Sequence, residues 1–77
     1  MDQTIAEVRK NARGDIRVSL TEYRGHDLCD IRVFAANDDG DPIATRKGIT
    51  LNVSLIPQLQ EALKAAEQKA RNAGLIE

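Results

Sequence analysis

Chemically reactive side chains are scarce: there is one cysteine, one histidine, one methionine and no tryptophan. Cys29 has no second thiol with which to close an intramolecular disulfide. One thiol and one imidazole give no ligand spacing for a structural metal, so neither a metal nor a cofactor is expected. A catalytic centre needs a nucleophile or an acid/base pair held by a third group. His26 falls in a turn and Cys29 on the apolar side of a strand, so no catalytic residue is identified and an enzyme is the least favoured class. No apolar run approaches the roughly 18 residues of a membrane span. The start, MDQTIAEVRK, lacks the basic-then-apolar pattern of a secretory leader. A reduced cytoplasmic compartment, nucleoid-associated if the source is bacterial, is the expectation.

A strong charge balance is missing too. The 77 residues carry 11 Lys/Arg and 12 Asp/Glu, a net charge of −1, so the chain is neither a basic arm nor an acidic tail. Aromatics are reduced to Tyr23 and Phe34, and ten of the hydrophobic residues are alanine. Seven Ile, seven Leu and four Val must build most of the core. A chain of this size buries only about 60 % of its unfolded surface, which leaves self-association as the natural source of further burial.

What is present has a clear order. Thr4-Ile-Ala-Glu7 matches a capping box, and Gly14 could close a helix over residues 5–12; the alternative is an unstructured arm. Residues 1–13 are accordingly set apart from a domain over 14–77. From Asp15 the hydrophobic period changes to two. In residues 16–23 Ile16, Val18 and Leu20 share one face, and Arg17, Ser19, Thr21 and Tyr23 share the other. Residues 28–34 resume the alternation after a turn at Arg24–Asp27, giving a hairpin. Asn37–Pro42 is a strong turn signal. Short third and fourth strands are expected at 43–45 and 49–52. A long helix follows, with Ser54 preferred over Asn52 as its cap and Pro57 in its first turn. Ile56, Leu59, Leu63, Ala66 and Ala70 form its apolar stripe, and Gly74-Leu75 ends it in a Schellman motif.

Two groups of residues attract functional readings. Tyr23 and Phe34 lie on the same strand face as Arg17 and Arg32, an arrangement in which unstacked bases could lie on aromatic rings and cations hold phosphate. The alternative is that helix packing or a partner covers this face and the aromatics are core. Then there is Thr45-Arg-Lys-Gly-Ile-Thr-Leu-Asn52. Its Lys-Gly order reverses the Gly-Lys-Ser/Thr of a P-loop, so that motif is excluded. The Asp38, Asp39 and Asp41 cluster belongs to a turn and lacks the ligand spacing of a calcium loop. Eight cations between Arg9 and Lys47 face seven carboxylates, so no global basic field exists. A local stripe can survive, because charges beyond about 8–10 Å are screened.

From Ile16 onward the order of parts resembles the C-terminal domain of the transcriptional coactivator positive cofactor four. The likeness is carried by Tyr23-Arg24-Gly25, Asp30-Ile31-Arg32, Asp39-Gly40 and above all Arg46-Lys47-Gly48-Ile49-Thr50-Leu51-Asn52, over roughly residues 14–70. The resemblance implies an α+β fold, a curved four-stranded antiparallel sheet followed by one long C-terminal helix (β-β-β-β-α). It also implies a homodimer, with Ile49, Leu51, Leu59 and Leu63 at the interface. The implied ligand is single-stranded DNA, with RNA as the alternative, and the transcription machinery is a further partner. Tyr23 would stack on a base. Arg24 and, less strongly charged, His26 would follow it, with Arg32 on its strand and Arg46, Lys47 and Gly48 at the basic corner; the strand-face pattern adds Arg17 to these nucleic-acid-binding candidates. Departures from the family pattern are Ala35 in place of a large aromatic, and Ile43 and Gly14 in place of lysines. They favour weaker binding, and they motivate a second reading: a protein-interaction or dimerisation module of the same fold.

Overall fold

Strand-forming sequence begins earlier than its periodicity suggests. In the computed structural model, which describes residues 3–76, four strands are followed by a short 3-10 turn and a helix. The strands are β1 (Gln3–Asn11), β2 (Gly14–Tyr23), β3 (His26–Ala36) and β4 (Pro42–Asn52), and the helix is α1 (Ile56–Asn72). All neighbours are antiparallel, in the sheet order β1-β2-β3-β4.

The number of strands agrees with expectation, but their make-up does not. The helix expected over 5–12 is strand β1 instead. A helix that short is marginal in water, whatever its capping box offers. Pairing with β2 satisfies the backbone groups that β2 would otherwise leave unpaired at a sheet edge. Asn11 supplies the turn chemistry, its side-chain oxygen accepting from the Arg13 amide at 2.9 Å. The short strands expected at 43–45 and 49–52 are one continuous strand, β4.

The β2–β3 hairpin closes on two residues, with Tyr23 opposite His26. Arg24 (φ 51°) and Gly25 (φ 80°) both take positive φ, as a type I′ turn demands. The β3–β4 turn is held by Asn37, whose side-chain oxygen accepts from the amides of Asp39 and Asp41, each at 2.9 Å.

The apolar sides of the strands meet in register. Val18 faces Ile31, which faces Ile49; Leu20 faces Cys29, which faces Leu51. On β1, Ala6 and Val8 oppose Val18 and Ile16. Yet among the described residues only Cys29 is buried, at 3 % exposure, while Ile49 is 50 % and Val8 57 % exposed. Burial pushes the Cys29 thiol up, with help from the neighbouring Asp30 carboxylate, so it stays protonated and unreactive.

Helix entry differs from expectation in its cap. Asn52, not Ser54, is the capping side chain: its oxygen accepts from the Ser54 amide at 2.9 Å and opens the 3-10 turn Val53–Leu55. Pro57 then falls in the first turn of α1, where its missing N–H costs nothing. The C-terminus is a Schellman motif, with the Gly74 amide donating to Arg71 (3.0 Å) and the Leu75 amide to Ala70 (2.8 Å). The apolar stripe of α1 is only partly covered. Ile56, Leu59 and Ala70 are half-buried and Leu63 is 61 % exposed.

β4 carries the one feature that shapes the functional surface. Arg32 pairs with Gly48 and Phe34 with Ala44, so Val33 alone on β3 faces Thr45, Arg46 and Lys47 on β4. This is a bulge with two extra residues on its outer strand. Gly48 closes it at φ 157°, where an added Cβ would press on the Ile31 carbonyl oxygen and lie 2.8 Å from the Arg32 Cα. Both are backbone atoms that cannot rotate away. Gly48→Ala is therefore expected to destabilise the fold by about 1–3 kcal/mol. In thermal unfolding followed by circular dichroism at fixed protein concentration, that corresponds to a fall in Tm of at least about 5 °C. An unchanged Tm would show that the β3–β4 junction has slack.

Candidate nucleic-acid interface

Arg17 and Arg32 are direct cross-strand partners on the polar face of β2 and β3. Two like charges at this spacing repel, unless something between them compensates. The compensation lies two residues upstream on each strand. Arg17 Nε donates to Asp15 at 3.2 Å, and its Nη2 lies 3.8 Å from Glu7 of β1. Arg32 donates from Nε and Nη2 to Asp30, the closest contact being 2.8 Å. The tripeptide Asp-Ile-Arg occurs twice, at 15–17 and 30–32, and each copy makes one such pair. Arg17 also covers the Phe34 ring at 4.5 Å, a cation–π contact that leaves this aromatic half-buried.

Arg32 does more than pair. Its Nη1 donates to the Thr45 carbonyl oxygen at 3.1 Å, and Nη2 donates to Thr50 Oγ1 at 3.2 Å. Thr50 in turn donates to Asp30 at 2.7 Å. The Thr45 hydroxyl donates to the Val33 carbonyl at 2.7 Å and accepts from the Lys47 amide at 3.2 Å. The bulge backbone on either side of Arg46 is thus tied to β3.

Arg46 and Lys47 themselves stand out from this bonded ground. Both are exposed, and among the described residues neither side chain is paired with a carboxylate. At the opposite end of the face Tyr23 is 59 % exposed, with the Arg24 guanidinium 5.2 Å from its ring centroid and His26 exposed beside it. Roughly six to seven strand residues separate His26 from the bulge, about 20–24 Å at the usual rise. The residues singled out in the sequence therefore form two exposed cationic ends joined by a charge-compensated middle. Beyond the bulge Arg9, Arg13, Phe34 and Ala35 border an open cleft of about 230 Å³.

Asp30, Thr45 and Thr50 are not singled out as site residues by sequence. For Asp30 the repeated Asp-Ile-Arg spacing is the available signal. Thr45 acquires its importance only from the bulge, which the alternation pattern does not reveal. Among the described residues no group of His, Cys, Asp and Glu could hold a metal ion, and no helix is long and apolar enough to cross a membrane.

The sequence profile of the family described as Transcriptional Coactivator p15 (PC4) matches residues 10–62. The chain belongs to the PC4 family. That family is one of DNA-binding transcriptional coactivators. A PC4 homologue from Burkholderia pseudomallei K96243 superposes with a TM-score of 0.80 at 37% identity, over 87% of this chain and 98% of that one. A second crystal form of the same homologue gives a TM-score of 0.79 at 38% identity, over 84% and 88%. The bacteriophage T5 homologue of the eukaryotic coactivator, a protein implicated in recombination-dependent DNA replication, shares the fold. Its TM-score is 0.63 at 19% identity, over 96% of this chain and 82% of that one. Comparison with curated protein sequences finds no significant match. The PC4 profile includes the Arg46-Lys47-Gly48 bulge and ends within α1, and it leaves most of β1 outside.

The Asp30 carboxyl is held below its ordinary range, first by the hydrogen bond from Arg32, against the opposing effect of burial, and further by Thr50 and the Arg32 charge. A carboxyl depressed on folding adds stability that is complete above its unfolded value of about 3.9 and is lost as pH falls through the lower folded value. Asp30→Asn should therefore lower Tm at pH 6 and narrow its gap to wild type between about pH 4 and pH 2. Thermal denaturation across that range checks this. A gap that stays constant into acid would mean that the pair contributes no charge-dependent stability.

Proposed function

We propose that this protein is a homodimeric single-stranded DNA-binding protein that acts as a transcriptional regulator of the coactivator type. Unpaired DNA would run along the polar face of β3, from the Tyr23 turn to the bulge on β4. Arg46 and Lys47 are the phosphate contacts at one end. Tyr23 offers a ring for a base at the other, with Arg24 and His26 beside it. Gly48 gives the backbone room at the bulge. Arg17 and Arg32 lie between, their charge already offset by Asp15, Glu7 and Asp30. The observation that carries this reading is the contrast in pairing: Arg17 and Arg32 are compensated, and the bulge cations Arg46 and Lys47 are exposed without a carboxylate partner among the described residues. A cation held out of the sheet and left unneutralised suits an incoming anion. Base stacking on an aromatic contributes about 1–3 kcal/mol with little sequence preference, which fits a binder of unpaired strands in general.

The dimer is supported by the exposed apolar surface. Ile49 (50 %), Leu63 (61 %) and Leu20 (38 %) are open in the single chain, and Leu51 and Leu59 are only half covered. Burying one such side chain fully is worth about 1.5–3 kcal/mol, so a second copy laid on Ile49, Leu51, Leu59 and Leu63 would supply the core that one copy lacks. Light scattering at micromolar concentration should give twice the chain mass; a monodisperse folded monomer would count against the dimer.

Arg46→Ala combined with Lys47→Ala should lower affinity for a labelled single-stranded oligonucleotide at least about tenfold in fluorescence anisotropy, with an unchanged circular dichroism spectrum. The slope of log affinity against log salt should become shallower by about 0.7 for each phosphate that is no longer neutralised. A folded double variant with wild-type affinity would remove these residues from the site. If the wild type itself fails to retain single strands at low salt, the protein-interaction reading takes over.

A further inference from the structure

Arg32 reaches three partners on two strands, and only one of them is the carboxylate that neutralises it. Its Nη1 grips the backbone of the bulge at the Thr45 carbonyl, 3.1 Å away. The Thr45 side chain closes the other half of the junction, donating to Val33 at 2.7 Å and accepting from the Lys47 amide at 3.2 Å. Asp30 and Thr50 fix the guanidinium along the strand, and are themselves joined at 2.7 Å. Bulges bend the strand locally and re-aim its side chains, and this one carries two adjacent exposed cations, Arg46 and Lys47, with no carboxylate partner among the described residues. A two-residue excess leaves ladder groups on both strands without regular partners; here the Val33 carbonyl, the Thr45 carbonyl and the Lys47 amide are satisfied by Arg32 and Thr45 side chains.

We propose that Arg32 and Thr45 are positioning residues: together they clamp the β4 bulge in the conformation that holds Arg46 and Lys47 out for phosphate, and Arg32 acts on DNA through that bulge rather than by meeting phosphate itself. This rests on the single-strand reading above for its consequence in binding, but the clamp itself is a property of the free protein. An arginine committed to a carboxylate, a hydroxyl and a carbonyl has most of its five N–H donors occupied before any ligand arrives. Thr45 brings no charge, so any influence it has on binding comes through geometry.

The test is a double-mutant cycle with a second readout that needs no DNA. Arg32→Gln and Thr45→Val should each lower single-strand affinity about five- to tenfold, and Thr45→Ser, which keeps the hydroxyl, should restore it. In the Arg46→Ala/Lys47→Ala background, Arg32→Gln should change neither the residual affinity nor the salt slope, because the residues it positions are gone. A further drop there, with the slope shallower by about another 0.7, would make Arg32 a phosphate contact and overturn the proposal. In the free protein, amide hydrogen exchange followed by NMR should show the Lys47 amide exchanging about tenfold faster in Thr45→Val and Arg32→Gln, with the β2–β3 amides of Val18 and Ile31 unchanged. Unchanged Lys47 exchange in both variants would overturn the clamp whether or not DNA binds. Wild-type protein that ignores single strands while the exchange result holds would defeat the single-strand reading and leave the clamp standing.

Discussion

The bulge between Arg32–Gly48 and Phe34–Ala44 is the constraint on which the rest of the polar surface depends. Without it β4 would continue in register, and Arg46 and Lys47 would alternate across the sheet, one on each face. With it both cations leave the ladder together. The structure meets the cost of that departure locally: Gly48 lets the backbone pass close over Ile31 and Arg32, the Thr45 hydroxyl takes the place of a ladder partner, and Arg32 reaches across to the Thr45 carbonyl. The Asp-Ile-Arg tripeptides then become intelligible. Directly opposed arginines would repel, and each is neutralised by the aspartate on its own strand. Along β2 and β3 the arginine charge of this face is offset, and at the bulge it is not.

A second constraint acts on the other side. Four strands with one aligned apolar face, and a helix whose stripe is half open, leave Cys29 as the only buried residue among those described. The isolated chain has the patterning of a core without enough mass to close it. A partner laid on that face would fill the deficit, and would leave the polar face and the bulge free for a ligand. The proposed dimer and the proposed DNA surface are thus compatible because the alternation of β2 and β3 separates them.

The sequence made parts of this legible for physical reasons. Strict period-two alternation in 16–23 and 28–34 located β2 and β3 and the face shared by Arg17, Arg32 and Phe34, because side-chain direction in a strand depends only on parity. The Schellman ending and the Asn37–Pro42 turn were readable because each rests on local backbone chemistry. β1 was not: its capping box is a local signal, and the edge of β2 that overrides it is a tertiary one. Residues 43–52 looked like two strands because Arg46-Lys47-Gly48 reads as a polar corner, and an insertion of two residues keeps Ile43 and Ile49 on the same parity, so counting does not reveal the bulge. The role of Thr45 was hidden for the same reason, since it arises only from the bulge. The specific Arg-Lys-Gly-Ile-Thr-Leu-Asn block pointed to the basic corner, but its place within one strand, and the residues that hold it there, needed the fold.

The most direct test of the account is a titration of the isotopically labelled protein with a single-stranded oligonucleotide, followed by backbone and arginine side-chain NMR shifts. The account predicts the largest changes at Thr45–Gly48 and Tyr23–His26, smaller ones along Asp30 and Arg32, and none at Val18 or Ile31 on the apolar face. Shifts concentrated on the apolar face or α1, with Arg46 and Lys47 unmoved at saturation, would contradict it.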